Sequence, residues 1–316
     1  MKIIFFGTPE FGAIVLKRLI GEGYKPVLVV TEPDKPVGRK QVVTPPPVKI
    51  LAEKSSIPVL QPDKIKNSER EMKSLNPDLG IVAAYGQLIP KTILDIPKYG
   101  FLNVHPSILP KYRGPSPIQN AILNGDEEVG ATIMQVGEKM DAGPIVVNSR
   151  FKIQDSRLTY QELHDKLAES GAGLLVKAIP DWVAGKIESR PQNDAEATYT
   201  KIIKKEDGNI DWKENASYIE RQVRALNPWP GAFARSEAEG GNPRILKVLK
   251  ASVQEQTKNG PFGDPGKTYL GTNERIAVQA GKDFLIIEKL QLEGGKPMNA
   301  ADFLRGHQDF VGITLK

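Results

Sequence analysis

Short apolar runs alternate with segments of helical periodicity through the first half of the chain, and this alternation strongly constrains the fold. Between the first two runs, apolar residues recur at helical spacing, at Phe11, Ile14, Val15, Leu19 and Ile20. The runs themselves lie at residues 2–6, 25–31, 57–62, 77–86 and 101–107. The pattern predicts an α/β, Rossmann-like fold, with a mostly parallel sheet covered by helices on both faces.

The character of the chain changes after Lys186. Residues 189–204 are polar and broken by proline, asparagine and aspartate, as is typical of a linker. Further strands, separated by Gly, Pro and Asn clusters, are predicted at 244–253, 274–281 and 283–294. We therefore predict a first domain over residues 1–188, a linker over 189–204, and a smaller C-terminal OB-like β-barrel over 205–316.

Composition excludes several kinds of chemistry. The chain has no cysteine, so disulfides, thiolate nucleophiles and cysteine-type zinc sites are excluded. The three histidines are scattered without metal-ligand spacing, and no metal is expected. His164 lies in a helical pattern and is interpreted as structural or solvent-facing. The N-terminal run of four strongly apolar residues is too short for a secretory or membrane-spanning segment, so a cytoplasmic protein is expected.

The net charge of +5 is concentrated at the start of the chain. Residues 1–66 carry 11 Lys and Arg residues against 6 Asp and Glu residues, which accounts for the whole excess. A local basic excess is typical of proteins that bind a polyanion, although it serves solubility equally well.

A glycine-containing turn, GTPEFG at residues 7–12, follows the first predicted strand. It lacks the GxGxxG spacing of dinucleotide-binding turns, and Pro9 removes a backbone N–H where one would be wanted. A nicotinamide-dependent dehydrogenase is therefore not favoured.

The segment NVHPSILPKYRG, at residues 103–114, places an amide and an imidazole at the end of a predicted strand. Asn103 and His105 are two positions apart, so both side chains point to the same side of the strand. An amide can donate to a developing oxyanion, and an imidazole can move protons near neutral pH. Asp141, on a predicted turn between two strands, is the best candidate for a carboxylate that tunes His105.

The alternative is that these residues are an ordinary strand end and an ordinary turn, since short motif matches are often accidental. The chain also offers no evident covalent nucleophile, because it has no cysteine and no GxSxG motif. That favours direct transfer of a group between two bound substrates over a covalent intermediate.

In these and other segments the sequence resembles the folate-dependent formyltransferases over essentially its full length. The segments that carry the resemblance are FFGTPEFG, TEPDKPVGRK, TPPPVK, IVAAYGQLIP, NVHPSILPKYRGPSPIQ, GATIMQ, MDAGPI, IDW and RALNPWPGAF. The resemblance implies that Asn103, His105 and Asp141 form a catalytic triad. It also implies that a folate lies along Ser107, Ile108, Leu109 and Pro110, where the family usually has leucine in place of Ile108.

The resemblance further implies that the segment after the second strand holds the acceptor end of a tRNA. Its basic residues are Lys35, Arg39, Lys40 and Lys49, and they fall within the basic stretch of the chain. Prolines and glycine in this segment predict a mobile loop without helix. The C-terminal barrel is likewise expected to bind tRNA.

The implied reaction is transfer of the formyl group of 10-formyltetrahydrofolate to the α-amino group of methionine on initiator tRNA. The expected protein is a monomer without a membrane partner, acting in translation initiation. The alternatives are a folate-dependent formyltransferase acting on glycinamide ribonucleotide or an amino sugar nucleotide, or an RNA-binding module that has lost catalysis. Glycinamide ribonucleotide enzymes open with a glycine-rich phosphate loop where this chain has GTPEFG.

Overall fold

A computed structural model of the chain describes residues 1–38, 40–153, 157–236, 244–256, 263–271 and 274–316. The strands are β1 (Ile3–Gly7), β2 (Leu28–Val30), β3 (Lys35–Val37), β4 (Val42–Thr44), β5 (Val59–Leu60), β6 (Leu79–Ala83), β7 (Phe101–His105), β8 (Glu128–Val129), β9 (Thr132–Gln135), β10 (Ile145–Asn148), β11 (Phe151–Lys152), β12 (Ala232–Ser236), β13 (Arg244–Gln254), β14 (Thr268–Leu270), β15 (Ile276–Gln279), β16 (Phe284–Leu292) and β17 (Met298–Asn299). The helices are α1 (Glu10–Gly21), α2 (Pro47–Lys54), α3 (Glu69–Leu75), α4 (Lys91–Leu94), α5 (Pro117–Asn124), α6 (Tyr160–Val183), α7 (Ala216–Ala225) and α8 (Ala300–Gly306). Across the described ranges, no helix combines the length and apolar character needed to cross a membrane.

The chain divides into two compact units. The first comprises Met1–Pro117, Glu127–Gln154 and Glu162–Lys201, and the second comprises Ile118–Asp126, Asp155–Gln161 and Ile202–Lys316. The domain boundaries at residues 188 and 204 stay predictions.

A seven-stranded sheet forms the centre of the first unit, in the order β10-β9-β7-β6-β1-β2-β5. The strands from β7 through β6, β1 and β2 to β5 pair in parallel. Strands β9 and β10 are antiparallel and form one edge. The structure confirms the α/β, Rossmann-like fold predicted from the alternating pattern.

Helices cover both faces of this sheet because the central strands are apolar on both sides. On one face, Ile4 and Phe6 of β1 lie in a cluster with Met72 of α3 and Ile93 of α4. On the other face, α1 approaches so closely that a Cβ on Gly12 would lie 2.7 Å from the carbonyl oxygen of Ala83. Burial on both faces explains why these strands are continuous apolar runs.

The second unit contains an antiparallel sheet in the order β12-β13-β16-β15-β14, and β17 pairs with β16. The last residues of the chain hydrogen-bond to both ends of that sheet. The Lys316 N–H donates to the Arg235 carbonyl in β12 at 2.9 Å, and the Thr268 N–H of β14 donates to the Ile313 carbonyl at 2.9 Å. These bonds close the sheet into a barrel, which removes two exposed strand edges. The predicted small antiparallel barrel is confirmed.

Deletion of residues 313–316 is expected to destabilise the barrel. It would expose the edges of β12 and β14 and remove Leu315, which is 2% exposed in the barrel core. Loss of a buried leucine with its backbone bonds costs about 3 kcal/mol or more. Thermal unfolding of the full chain and the truncated chain measures the effect. Lys316→Ala, which keeps the backbone bonds, is the control, and an unchanged unfolding temperature after deletion would contradict closure by this segment.

Candidate active site

Strand β7 carries two of the predicted site residues to the carboxyl edge of the parallel strands. Alternation along the strand puts Phe101, Asn103 and His105 on one face. Val104 faces the opposite side, where a Cβ on Gly171 of α6 would meet it at 2.6 Å. Within the described part of the chain, the Asn103 side chain is partly exposed and makes no hydrogen bond. Its amide is therefore available to a bound ligand.

The imidazole of His105 is buried and has an acceptor oxygen on each side. Its Nε2 lies 3.0 Å from the carbonyl oxygen of Tyr112, which can only accept. Its Nδ1 lies 3.7 Å from Oδ1 of Asp141, within ion-pair range but longer than a hydrogen bond. Because a carbonyl oxygen can only accept, Nε2 carries a proton, and the ring is oriented with Nδ1 toward the Asp141 carboxylate.

Asp141 lies on the turn between β9 and β10, 36 positions after His105 in the sequence. Its φ of 50° is in the left-handed region, which a non-glycine residue adopts in tight turns. Its second carboxylate oxygen, Oδ2, accepts from the Gly114 N–H at 2.8 Å. The carboxylate is thus held between a backbone donor and the histidine ring. The structure brings Asn103, His105 and Asp141 into one site.

The segment predicted to lie along a folate follows directly after this strand. The Thr132 hydroxyl donates to the Ser107 carbonyl at 2.7 Å and accepts from the Leu109 N–H at 3.2 Å. Ser107 and Leu109 are buried, whereas Ile108 and Pro110 are partly exposed. The Leu109–Pro110 peptide bond is cis. Contact with a ligand would therefore be made mainly through Ile108 and Pro110.

The segment predicted to hold tRNA forms a short hairpin of β3 and β4. The hairpin contains no helix among its described residues, in agreement with the prediction, and its mobility stays a prediction. Lys35 is exposed and pairs with Glu32 at 2.9 Å, and Lys40 is exposed. Arg39 lies outside the described residues. The hairpin also exposes more than half of three valine side chains, Val37, Val42 and Val43.

Lys49 has a structural partner and is not a free cation. Its ammonium group binds the Asp34 carboxylate at 2.8 Å, and Gln61 donates to the same carboxylate at 2.7 Å. These hydrogen bonds, from Gln61 and then Lys49, hold the pKa of Asp34 below its usual value. Lys49 therefore fixes the base of the hairpin segment.

His164 is buried on α6 against Phe11, with ring centroids 5.6 Å apart. This position fits the interpretation of His164 as a structural residue.

Sequence reasoning missed a buried arginine beside the site. Arg113 is 1% exposed and donates to Gln192 at 2.9 Å, Asp194 at 2.8 Å and Tyr199 at 3.1 Å. Burial opposes the charged form, but the hydrogen bonds to Asp194 and Tyr199 outweigh it and raise the pKa of Arg113. The sequence signal that could have identified Arg113 was its position between an aromatic residue, Tyr112, and a glycine, Gly114. Its partners lie within residues 189–204, where only a linker was predicted.

Two family models match the chain. One, described as formyl transferase, covers residues 1–179, and the other, described as formyl transferase, C-terminal domain, covers residues 202–308. Together with the sheet topology, these matches define the class as formyl-group transferases.

The sequence identity of curated relatives shows to which family of formyl-group transferases the chain belongs. Methionyl-tRNA formyltransferase of Citrifermentans bemidjiense is 43% identical over 310 residues, covering 98% of this chain and 94% of the relative. Methionyl-tRNA formyltransferase of Halalkalibacterium halodurans is 44% identical over 321 residues, covering 100% of this chain and 98% of the relative. The chain belongs to the methionyl-tRNA formyltransferase family.

Solved structures with low sequence identity share the fold. The N-formyltransferase of Helicobacter canadensis, in complex with folinic acid and dTDP-3-aminofucose, has a TM-score of 0.66 at 19% identity, covering 91% of this chain and 98% of its own. HypX of Aquifex aeolicus, in complex with tetrahydrofolic acid, has a TM-score of 0.63 at 18% identity. That match covers 98% of this chain and spans only 48% of HypX.

Proposed function

We propose that this chain transfers the formyl group of 10-formyltetrahydrofolate to the α-amino group of methionine esterified to initiator tRNA. Membership of the methionyl-tRNA formyltransferase family supports the choice of substrates. The structural observation that carries the proposal is the grouping of an unbonded Asn103 amide with a His105 ring that lies 3.7 Å from Asp141. A free amide donor beside a held imidazole is what an acyl-type transfer requires.

The reaction forms one bond to the formyl carbon and breaks another. The α-amino nitrogen attacks the formyl carbon, and a tetrahedral oxyanion results. An α-amino group titrates near pH ~8, so a neutral fraction is present at pH 7 without a strong base. As the intermediate collapses, the bond from the formyl carbon to the folate nitrogen breaks. The amine loses a proton, and the folate nitrogen gains one.

Asn103 donates its amide N–H to the developing oxyanion. His105, held toward Asp141, stabilises charge at the same centre or relays the proton to the folate nitrogen. Because Nε2 is turned to the Tyr112 carbonyl, relay through Nε2 would require that contact to break. The same segment that follows His105 offers Ile108 and Pro110, with the buried Ser107 and Leu109 behind them, as the folate-binding surface.

The tRNA is bound by the β3–β4 hairpin segment through Lys35, Arg39 and Lys40, and by the C-terminal barrel. The basic excess of residues 1–66 supports the first of these assignments, because phosphate contacts dominate affinity for nucleic acids. The chain is expected to act as a monomer.

A direct assay tests the proposed function. The purified chain is mixed with 10-formyltetrahydrofolate and methionyl initiator tRNA, and formylmethionine released from the tRNA is quantified by mass spectrometry. Parallel reactions replace the tRNA with glycinamide ribonucleotide or an amino sugar nucleotide. Formylation of the aminoacyl-tRNA alone is expected. Formylation of either small nucleotide without reaction of the tRNA would overturn the proposal.

Arg39→Ala is expected to raise the KM for methionyl-tRNA and leave folate affinity unchanged, because it removes one phosphate contact. The dependence of log KM on log salt concentration should become shallower by about one unit. Initial rates at several salt concentrations measure both effects. Arg18→Ala is the matched control, since Arg18 lies in the last turn of α1, away from the hairpin segment, and pairs with Glu22. A fall in folate affinity in place of tRNA affinity would contradict the assignment.

A further inference from the structure

The side-chain amide of Gln192 spans the turn that carries Asp141. Its Nε2 donates to the Asp141 carbonyl at 2.8 Å and to the Gly143 carbonyl at 2.7 Å. Both N–H groups of the amide are therefore used on two carbonyls of one turn. Gln192 comes from a distant segment of the chain, and its side chain holds the backbone of Asp141, which supplies the carboxylate.

The orientation of this amide is determined by Arg113. The Nε of Arg113 is a donor only, and it lies 2.9 Å from Gln192 Oε1. The oxygen must therefore face the guanidinium, which directs the NH₂ group to the two carbonyls. Asp194 and Tyr199 hold the other guanidinium nitrogens. Exchanging the positions of the amide oxygen and nitrogen of Gln192 would break all three hydrogen bonds. It would also place the NH₂ group against the N–H donor of Arg113.

The turn needs such support because its conformation is constrained. Asp141 has a φ of 50°, where a side chain is unfavourable by about 1 kcal/mol or more. From this backbone position the carboxylate lies 2.8 Å from the Gly114 N–H and 3.7 Å from Nδ1 of His105. A displacement of about 1 Å in such a group can lower turnover by ~10²-fold.

We propose that Gln192 is a positioning residue for Asp141, so that the segment before the C-terminal barrel maintains the catalytic geometry. The inference rests on the catalytic role proposed for Asp141. The polar atoms of the Gln192 amide are all used on protein groups, and Gln192 acts through the turn. Residues 190–200 belong to the first unit and are hydrogen-bonded to the rest of it at both ends, through Arg190 with Ile145 and Thr200 with Arg113, which gives the amide a rigid base.

The test is a double-mutant cycle on the full chain. Gln192→Met keeps the volume but removes the donors, and it is expected to lower kcat by about 10–100-fold with little change in the KM of either substrate. In an Asp141→Asn background, the same substitution should change kcat by less than about twofold, because the group it positions is already lost. Gln192→Glu keeps a partner for Arg113 but sets oxygens against the two carbonyls, and it should lose at least as much turnover.

Gln222→Met is the matched control, because the buried Gln222 also donates its Nε2 to two carbonyls, those of Asp207 at 2.9 Å and Asn209 at 3.2 Å, but it holds residues of the second unit. Wild-type turnover of Gln192→Met, or equal losses in both backgrounds, would overturn the positioning role. If Asp141→Asn itself kept wild-type turnover, the proposed catalytic site would fail instead. Thermal unfolding of each variant separates loss of geometry from loss of folded protein.

Discussion

Replacement of Asn103 by alanine is expected to lower kcat by about 10²–10³-fold, the usual effect of losing one oxyanion donor. The amide lies on β7, partly exposed and without a partner in the described part of the chain, so its removal leaves no buried group unsatisfied. Folding and folate affinity should therefore be retained. Single-turnover rates measure the chemical step, and titration with a folate measures binding.

The matched control is Asn67→Ala, which removes an exposed amide from the 3₁₀ turn Ile65–Ser68 and should leave turnover unchanged. Asn103→Asp provides a second comparison, because it keeps the size but replaces the donor with an acceptor. It should lose at least as much activity as the alanine variant. Turnover of Asn103→Ala close to that of the wild type would remove Asn103 from the proposed mechanism.

Gly143→Ala is expected to disrupt the Asp141 turn and to reduce both stability and turnover. An added Cβ would lie 1.8 Å from the carbonyl oxygen of Gln135, so the backbone of β9 or of the turn must move. Strain of this kind costs about 1–3 kcal/mol, and more where backbone is the obstacle. The Gly143 carbonyl also accepts from Gln192, so movement displaces that support as well. Thermal unfolding and kcat measure the two effects.

Gly137→Ala is the control within the same connection between β9 and β10. A Cβ at Gly137 meets no atom within 4 Å, so the substitution should leave stability and turnover nearly unchanged. If Gly143→Ala behaved like Gly137→Ala, the close approach of the turn to β9 would have no functional consequence.

Local periodicity made much of the fold predictable. The apolar runs and the helical spacing between them correspond to the parallel strands and to α1, because burial on two faces leaves a direct record in the sequence. No comparable apolar pattern in the sequence indicates the hairpin of β3 and β4. Its strands are three residues long and every residue in them is exposed, so no alternation of buried and exposed positions distinguishes them from a loop.

The candidate site was predictable where its side chains lie on one strand, and not where its partners are backbone groups or side chains of distant segments. Asn103 and His105 are two residues apart on a strand, so their common face follows from the sequence. The partners that hold the site in place include the Tyr112 carbonyl and the Gly114 N–H, which every sequence possesses. Gln192 lay in a polar segment with the composition of a linker, and its role depends on one buried arginine.

The sequence by itself determined the strand and helix pattern, the barrel that follows, and the same-side placement of Asn103 and His105. These are local properties, set by periods of two and 3.6 residues along a covalent chain. Only the tertiary structure decided that Asp141 lies 3.7 Å from His105, that Gln192 holds the Asp141 turn, and that residues 313–316 close the barrel. Each of these three contacts joins segments that are far apart in the chain. Such contacts depend on the packing of the whole unit and cannot be inferred from a local sequence pattern.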